Sequence, residues 1–171
     1  MIARISMSVE KLHWPQRWIR SFHSQMRRES PIFTTEHFTV ESCSTCYIPG
    51  YFILKPRDAV DSLSRMNSAA LASLGPTLAL ITRTIEEVVA ARRVYCALFS
   101  EETPAIHFHL FPRTEWLTAR YFATHPQETE ISGPLLMDWA RHTFNKPIAG
   151  MDRDGIREKI RDRISAGVAK R

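Results

Sequence analysis

Residues 106–113 read Ile-His-Phe-His-Leu-Phe-Pro-Arg, and the fold turns on this stretch. Ile106, Phe108 and Leu110 alternate with His107 and His109, the period of two that places side chains on opposite faces of a β-strand. The apolar set would dock on a core. The other face would carry two imidazoles, roughly 6–7 Å apart along the strand. Pro112 has no N–H to give to a ladder and is expected to end regular pairing. Arg113 puts a fixed positive charge beside the exit. A lone His-x-His is most often a pair of polar residues on a wet face. The sharper reading makes the two a nucleophile and its partner, or metal ligands, because imidazole can be neutral and nucleophilic or cationic and acidic near neutral pH.

The sequence on either side supplies a sheet for this strand. Residues 93–99, Arg-Val-Tyr-Cys-Ala-Leu-Phe, form an apolar strand, and the polar Ser100–Pro104 turn joins the two as an antiparallel hairpin. Further upstream, 51–55 (Tyr-Phe-Ile-Leu-Lys) is a strand closed by Pro56. It follows the turn Pro49-Gly50 and a single strand expected over 32–41. Between the hairpins, residues 68–91 carry Leu71, Leu74, Leu78, Ile81, Ile85 and Val88 at three- and four-residue spacing, a long helix started by Ser68. Gly75-Pro76 should kink or restart it. Beyond Arg113, helices are expected up to His125-Pro126 and again from Gly133-Pro134 to Asn145. Strand, strand, long helix, strand, strand and then helices make an α+β fold with an antiparallel sheet.

The ends have a different character. Residues 1–30 hold Trp18, Phe22 and Met26 at helical spacing after Pro15, an amphipathic extension suited to packing on the domain or a second subunit, or less well to a membrane surface. Residues 31–147 form the domain. Residues 148–171 are a charged tail, expected as a frayed helix or as disorder.

The chain has 171 residues, 44% hydrophobic and 24% charged, as in ordinary globular proteins. No apolar run approaches the ~20 residues of a membrane span, and the first residues lack the apolar stretch of a secretory signal. Three cysteines argue against a disulfide framework and for a reducing, cytoplasmic setting. Cys43 and Cys46 form a C-x-x-C with only Cys96 left over, so structural cysteines are the better reading and an incomplete zinc site the lesser. The net charge of +5 suits an anionic ligand, but many of the basic residues sit at the two ends. A nucleic-acid-binding role through those ends is therefore the weakest of the readings.

Pro49-Gly50, then Pro56-Arg57-Asp58-Ala59-Val60, then a helix, a strand and Ile-His-Phe-His-Leu-Phe-Pro-Arg: this order resembles the histidine triad (HIT) family of nucleotide hydrolases and transferases, with a likeness to diadenosine-polyphosphate hydrolases. It covers roughly residues 32–120. It implies a HIT-like antiparallel sheet with a long helix packed on it and additional terminal helices. Aligned through Pro112-Arg113, His107 matches the family's nucleophilic histidine and His109 the third of the triad. The resemblance implies cleavage at the α-phosphate of a dinucleoside polyphosphate or nucleoside phosphoramidate through a nucleotidyl-histidine. It implies no metal and no other cofactor, a nucleotide as substrate, and a homodimer. Candidate nucleotide contacts are Tyr51, Cys43, Ser100, Thr103 and Arg113. Two departures stand out: Ala105 occupies the first histidine position, and Tyr51 that of the histidine after Pro-Gly. The alternative is a degenerate domain that binds a nucleotide or a protein without efficient turnover.

Overall fold

The computed structural model describes residues 30–100 and 103–168. The amphipathic extension of 1–29 and the acidic pair Glu101-Glu102 lie outside the described residues.

Five strands make one antiparallel sheet: β1 (Phe33–Thr34), β2 (Phe38–Ser42), β3 (Phe52–Pro56), β4 (Arg93–Ala97) and β5 (Phe108–Arg113), in the spatial order β1-β2-β3-β5-β4. The histidine strand is therefore interior, with Ile53 and Ala97 flanking His109. Pro112 does not end β5 but pairs with Val94. It can do so because β3 stops opposite Leu110, so the side of Pro112 that lacks a donor has no strand to serve. The single strand expected over 32–41 is a hairpin instead. The Thr35 hydroxyl accepts the Phe38 N–H at 2.9 Å and turns the chain at Glu36-His37.

Four helices cover the sheet: α1 (Ser68–Val89), α2 (Glu115–Thr124), α3 (Gly133–Thr143) and α4 (Arg153–Val168). Helix α1 is capped by Asn67, whose side chain accepts from the Ala70 N–H at 2.8 Å, rather than by Ser68. It runs unbroken through Gly75-Pro76; beside the missing donor, the Thr77 hydroxyl bonds the Ser73 carbonyl at 2.7 Å. Its buried face is Ala70, Thr77, Ile81, Thr84 and Ile85, whereas Leu71 of the expected stripe is exposed. Before β3, Gly50 takes φ +81°, and a Cβ there would come within 3.0 Å of Val89. Only glycine lets this turn sit against α1.

The sheet divides two cores. On one face Phe38, Val40, Phe52, Leu54, Phe108 and Leu110 pack with α1 and α4. On the other, Tyr51, Ile53 and Phe111 pack with Cys43, Cys46, Leu117, Tyr121, Leu136, Met137, Ala140 and Phe144. The charged tail is an ordered helix over Arg153–Val168: Ile156, Ile160 and Ile164 recur every four residues along α4, and the last two are fully buried. No helix among the described residues is long and apolar enough to cross a membrane.

Candidate active site

The face of β5 carrying His109 and Phe111 is covered, not solvated. Phe111 packs edge-on against Tyr51, with ring centroids 5.1 Å apart, and stacks with Tyr95 at 6.3 Å. Helices α2 and α3 close over them. His109 is 6% exposed, while His107, just ahead of the strand, is half-buried. The two rings lie edge to face, 4.9 Å between centroids.

Each imidazole has a fixed partner. Nδ1 of His107 lies 3.1 Å from the Ala105 carbonyl. A carbonyl only accepts, so Nδ1 carries the proton, and in the neutral ring Nε2 keeps its lone pair. Ala105 thus contributes its backbone oxygen to the setting of the His107 ring. The His107 N–H donates to the Ser100 hydroxyl at 3.3 Å, and Ser100 takes a left-handed φ of 55° to bring the hydroxyl there. The Ile106 N–H donates to Val60 at 2.8 Å, which ties the approach to the strand down on its other side.

His109 is held from behind. The Tyr51 hydroxyl lies 2.8 Å from its Nδ1, an interaction available because Tyr51 directly precedes β3, the neighbour of β5. Burial, and then the neighbouring Cys43 thiol, push the Tyr51 phenol above its ordinary pKa, so it stays protonated. With the phenol as donor, Nδ1 of His109 accepts and the ring proton sits on Nε2. Burial, His107 and Arg141 together lower the His109 pKa from 6.5 to about 4. Near neutral pH this ring is a neutral hydrogen-bond donor, not a cation.

The remaining candidates are placed unevenly. Cys43 is buried beside Tyr51. Its relative Cys46 donates to the Ala140 carbonyl of α3 at 3.7 Å, and burial pushes that thiol up to about 11. Cys96 pairs with Leu110 on the opposite face of the sheet, so it cannot join the other two at a common metal. Among the described residues no three His, Cys, Asp or Glu side chains are grouped to hold a metal ion. Thr103 is exposed in the turn before Ala105. Arg113 sits at the far end of β5, roughly 13 Å along the strand from His109, and the strand does not bring it to the imidazoles. Two clefts, of ≈ 340 and ≈ 350 Å³, lie elsewhere: one between the β1–β2 turn and α1, one lined by Val60, Asp61, Arg65, Pro104 and Ala105. Neither is lined by His107 or His109.

Sequence reasoning overlooked two groups. Phe99, 57% exposed, stands 6.2 Å from the His109 ring. Arg141 comes from α3, and its charge reaches His109, Tyr51 and Cys46. The apolar stripe of α3 is visible in the sequence, but nothing there tells which face of the sheet it covers.

The same architecture occurs in solved histidine triad proteins. A zinc-bound histidine triad family protein from Mycobacterium smegmatis is 15% identical, with a TM-score of 0.56 over 82% of this chain and 87% of its own. A histidine triad protein from Bradyrhizobium japonicum is 13% identical, with a TM-score of 0.56 over 89% of this chain and 97% of its own. Another from Sinorhizobium meliloti is 14% identical, with a TM-score of 0.56 over 88% and 96%. No family model matches the chain, and no curated protein does.

Proposed function

We propose, from a fold that is that of the histidine triad proteins, α+β with one antiparallel sheet, that this chain is a nucleotide hydrolase or nucleotidyl transferase acting at an α-phosphate through His107. The observation that carries this is the 3.1 Å contact between His107 Nδ1 and the Ala105 carbonyl, which in the neutral ring leaves the Nε2 lone pair facing away from the backbone. In the first step that lone pair attacks the α-phosphorus. The bond from phosphorus to the leaving group breaks, and its electrons depart with the leaving group. The ring becomes a nucleotidyl-imidazolium whose Nδ1–H remains on the carbonyl. Water or another acceptor then attacks phosphorus, the P–N bond breaks and its electrons return to Nε2. Two easier displacements replace one difficult one.

The other residues have supporting roles in this reading. His109 offers Nε2–H to a phosphate oxygen and stays neutral because it is buried. Tyr51 fixes that tautomer, Ser100 sets the backbone under the nucleophile, Thr103 is available at the rim, and Cys43 lines the wall beside Tyr51. Arg113 would meet only a part of the ligand that extends along β5. A homodimer is part of the proposal, and the edge of β4, which pairs with no further strand among the described residues, is a surface for a second copy.

A second reading is a domain that binds a nucleotide or a protein and turns over poorly. It is favoured by the loss of the imidazole at Ala105 and by the depth of His109. One experiment separates the two. The full chain is incubated with an adenylated substrate, quenched under conditions that spare phosphoramidates, and weighed intact. An adduct of one nucleotidyl group that disappears in His107→Asn is the expected result. Saturable nucleotide binding with neither adduct nor turnover would sink the catalytic reading and leave the second.

A further inference from the structure

We propose that the guanidinium of Arg141 grips a phosphate oxygen of the nucleotide presented to His107, which makes the anionic phosphate rather than the nucleoside the main handle of the ligand. The inference rests on the nucleotide reading above and adds to it a binding group from outside the histidine strand.

The placement follows from helix geometry. The buried side of α3 is Leu136, Met137, Ala140 and Phe144. At ~100° per residue these span about 100° of the helix surface, and Arg141 falls roughly 40° beyond Met137, at the margin of the covered face. Ala140, the residue before it, is bonded through its carbonyl to Cys46 on the histidine side of the sheet. Arg141 is accordingly half-buried at that margin. Its charge registers at His109, Tyr51 and Cys46 alike.

The electrostatics leave this cation unanswered. Among the described residues Arg141 has no hydrogen bond and no ion pair, whereas Arg65, Arg92, Arg161 and Arg163 each have a carboxylate. The groups whose charge reaches His109 are His107 and Arg141, neither of them an acid. The neutral imidazole of His109 and the Tyr51 phenol supply dipoles but no net charge for a phosphate. A guanidinium supplies charge together with a planar fork of donors that matches two phosphate oxygens. It also compensates for the donors lost where Ala105 and Tyr51 replace histidines.

The test is equilibrium binding of AMP and of adenosine, by calorimetry, to the full chain and to Arg141→Ala and Arg141→Lys. AMP should bind the unaltered protein more tightly than adenosine does. Arg141→Ala should weaken AMP about 10- to 100-fold, the span of a lost charge-assisted contact, and leave adenosine unchanged. Arg141→Lys should recover part of the loss, because the charge returns without the fork. Undiminished AMP binding in Arg141→Ala, or an equal loss of AMP and adenosine, overturns the proposal and leaves the nucleotide reading standing. No binding of either ligand by the unaltered protein would remove both.

Discussion

At the scale of single residues, the site is built from two imidazoles that differ in what holds them. His107 is fixed through a backbone carbonyl and keeps a half-open edge; His109 is fixed through a phenol and is buried. The difference has a thermodynamic signature. The folded ring of His109 titrates at about 4 and the ordinary ring at 6.5. Between those values the unfolded chain binds a proton that the folded chain refuses, so stability falls as pH drops through that window and is fully present above it. The full loss is on the order of 3 kcal/mol. Urea denaturation of the wild type from about pH 7.5 down to about pH 4 should show this decline, and His109→Gln, which cannot titrate, should show a shallower one. Equal slopes for the two proteins would mean that the ring is solvated.

At the scale of elements, the readable features were those with a strong period. Helix α1 lies where the three-and-four spacing puts it, and α2 and α3 stop close to His125-Pro126 and Asn145. The β4–β5 hairpin was legible because the alternation of Ile106 to Leu110 has one interpretation. The β1–β2 hairpin was not, because a threonine hydroxyl makes the turn inside a stretch whose every residue favours strand. Pro112 misled because its cost depends on whether a neighbour needs the missing N–H, a fact about β3 and not about Pro112. The end of α1 carries a testable feature. Ala90 caps it in the left-handed region, φ 51° and ψ 42°, a place that suits glycine better. Ala90→Gly should stabilise the fold by ~0.5–1 kcal/mol, read as a higher denaturation midpoint with an unchanged slope.

At the scale of the whole molecule, what the sequence did not reveal is how the segment after Arg113 returns across the histidines. The apolar stripe of α3 marks a buried side, but hydrophobic burial is non-directional and does not choose between two apolar sheet faces. The same limit hid the docking of α4, whose three isoleucines are sparse among charges. Its contribution is large all the same: Ile164 is fully buried against the α1 face of the sheet. Ile164→Ala should cost about 2–4 kcal/mol, measured as a lowered midpoint of chemical denaturation. A cost near zero would mean that α4 rests on the domain without belonging to its core.

The sheet that separates the two apolar layers also separates two kinds of freedom. The α1–α4 layer is a foundation, separated from the opposite layer by the strands and tied to it at one margin, where Arg153 of α4 donates to the Cys43 carbonyl at 2.6 Å. A roof of two short helices over a fixed pair of rings is an exchangeable part. On the proposed function, grafting a different α2–α3 segment onto this base would change which ligands reach His107 without redesigning the floor they land on.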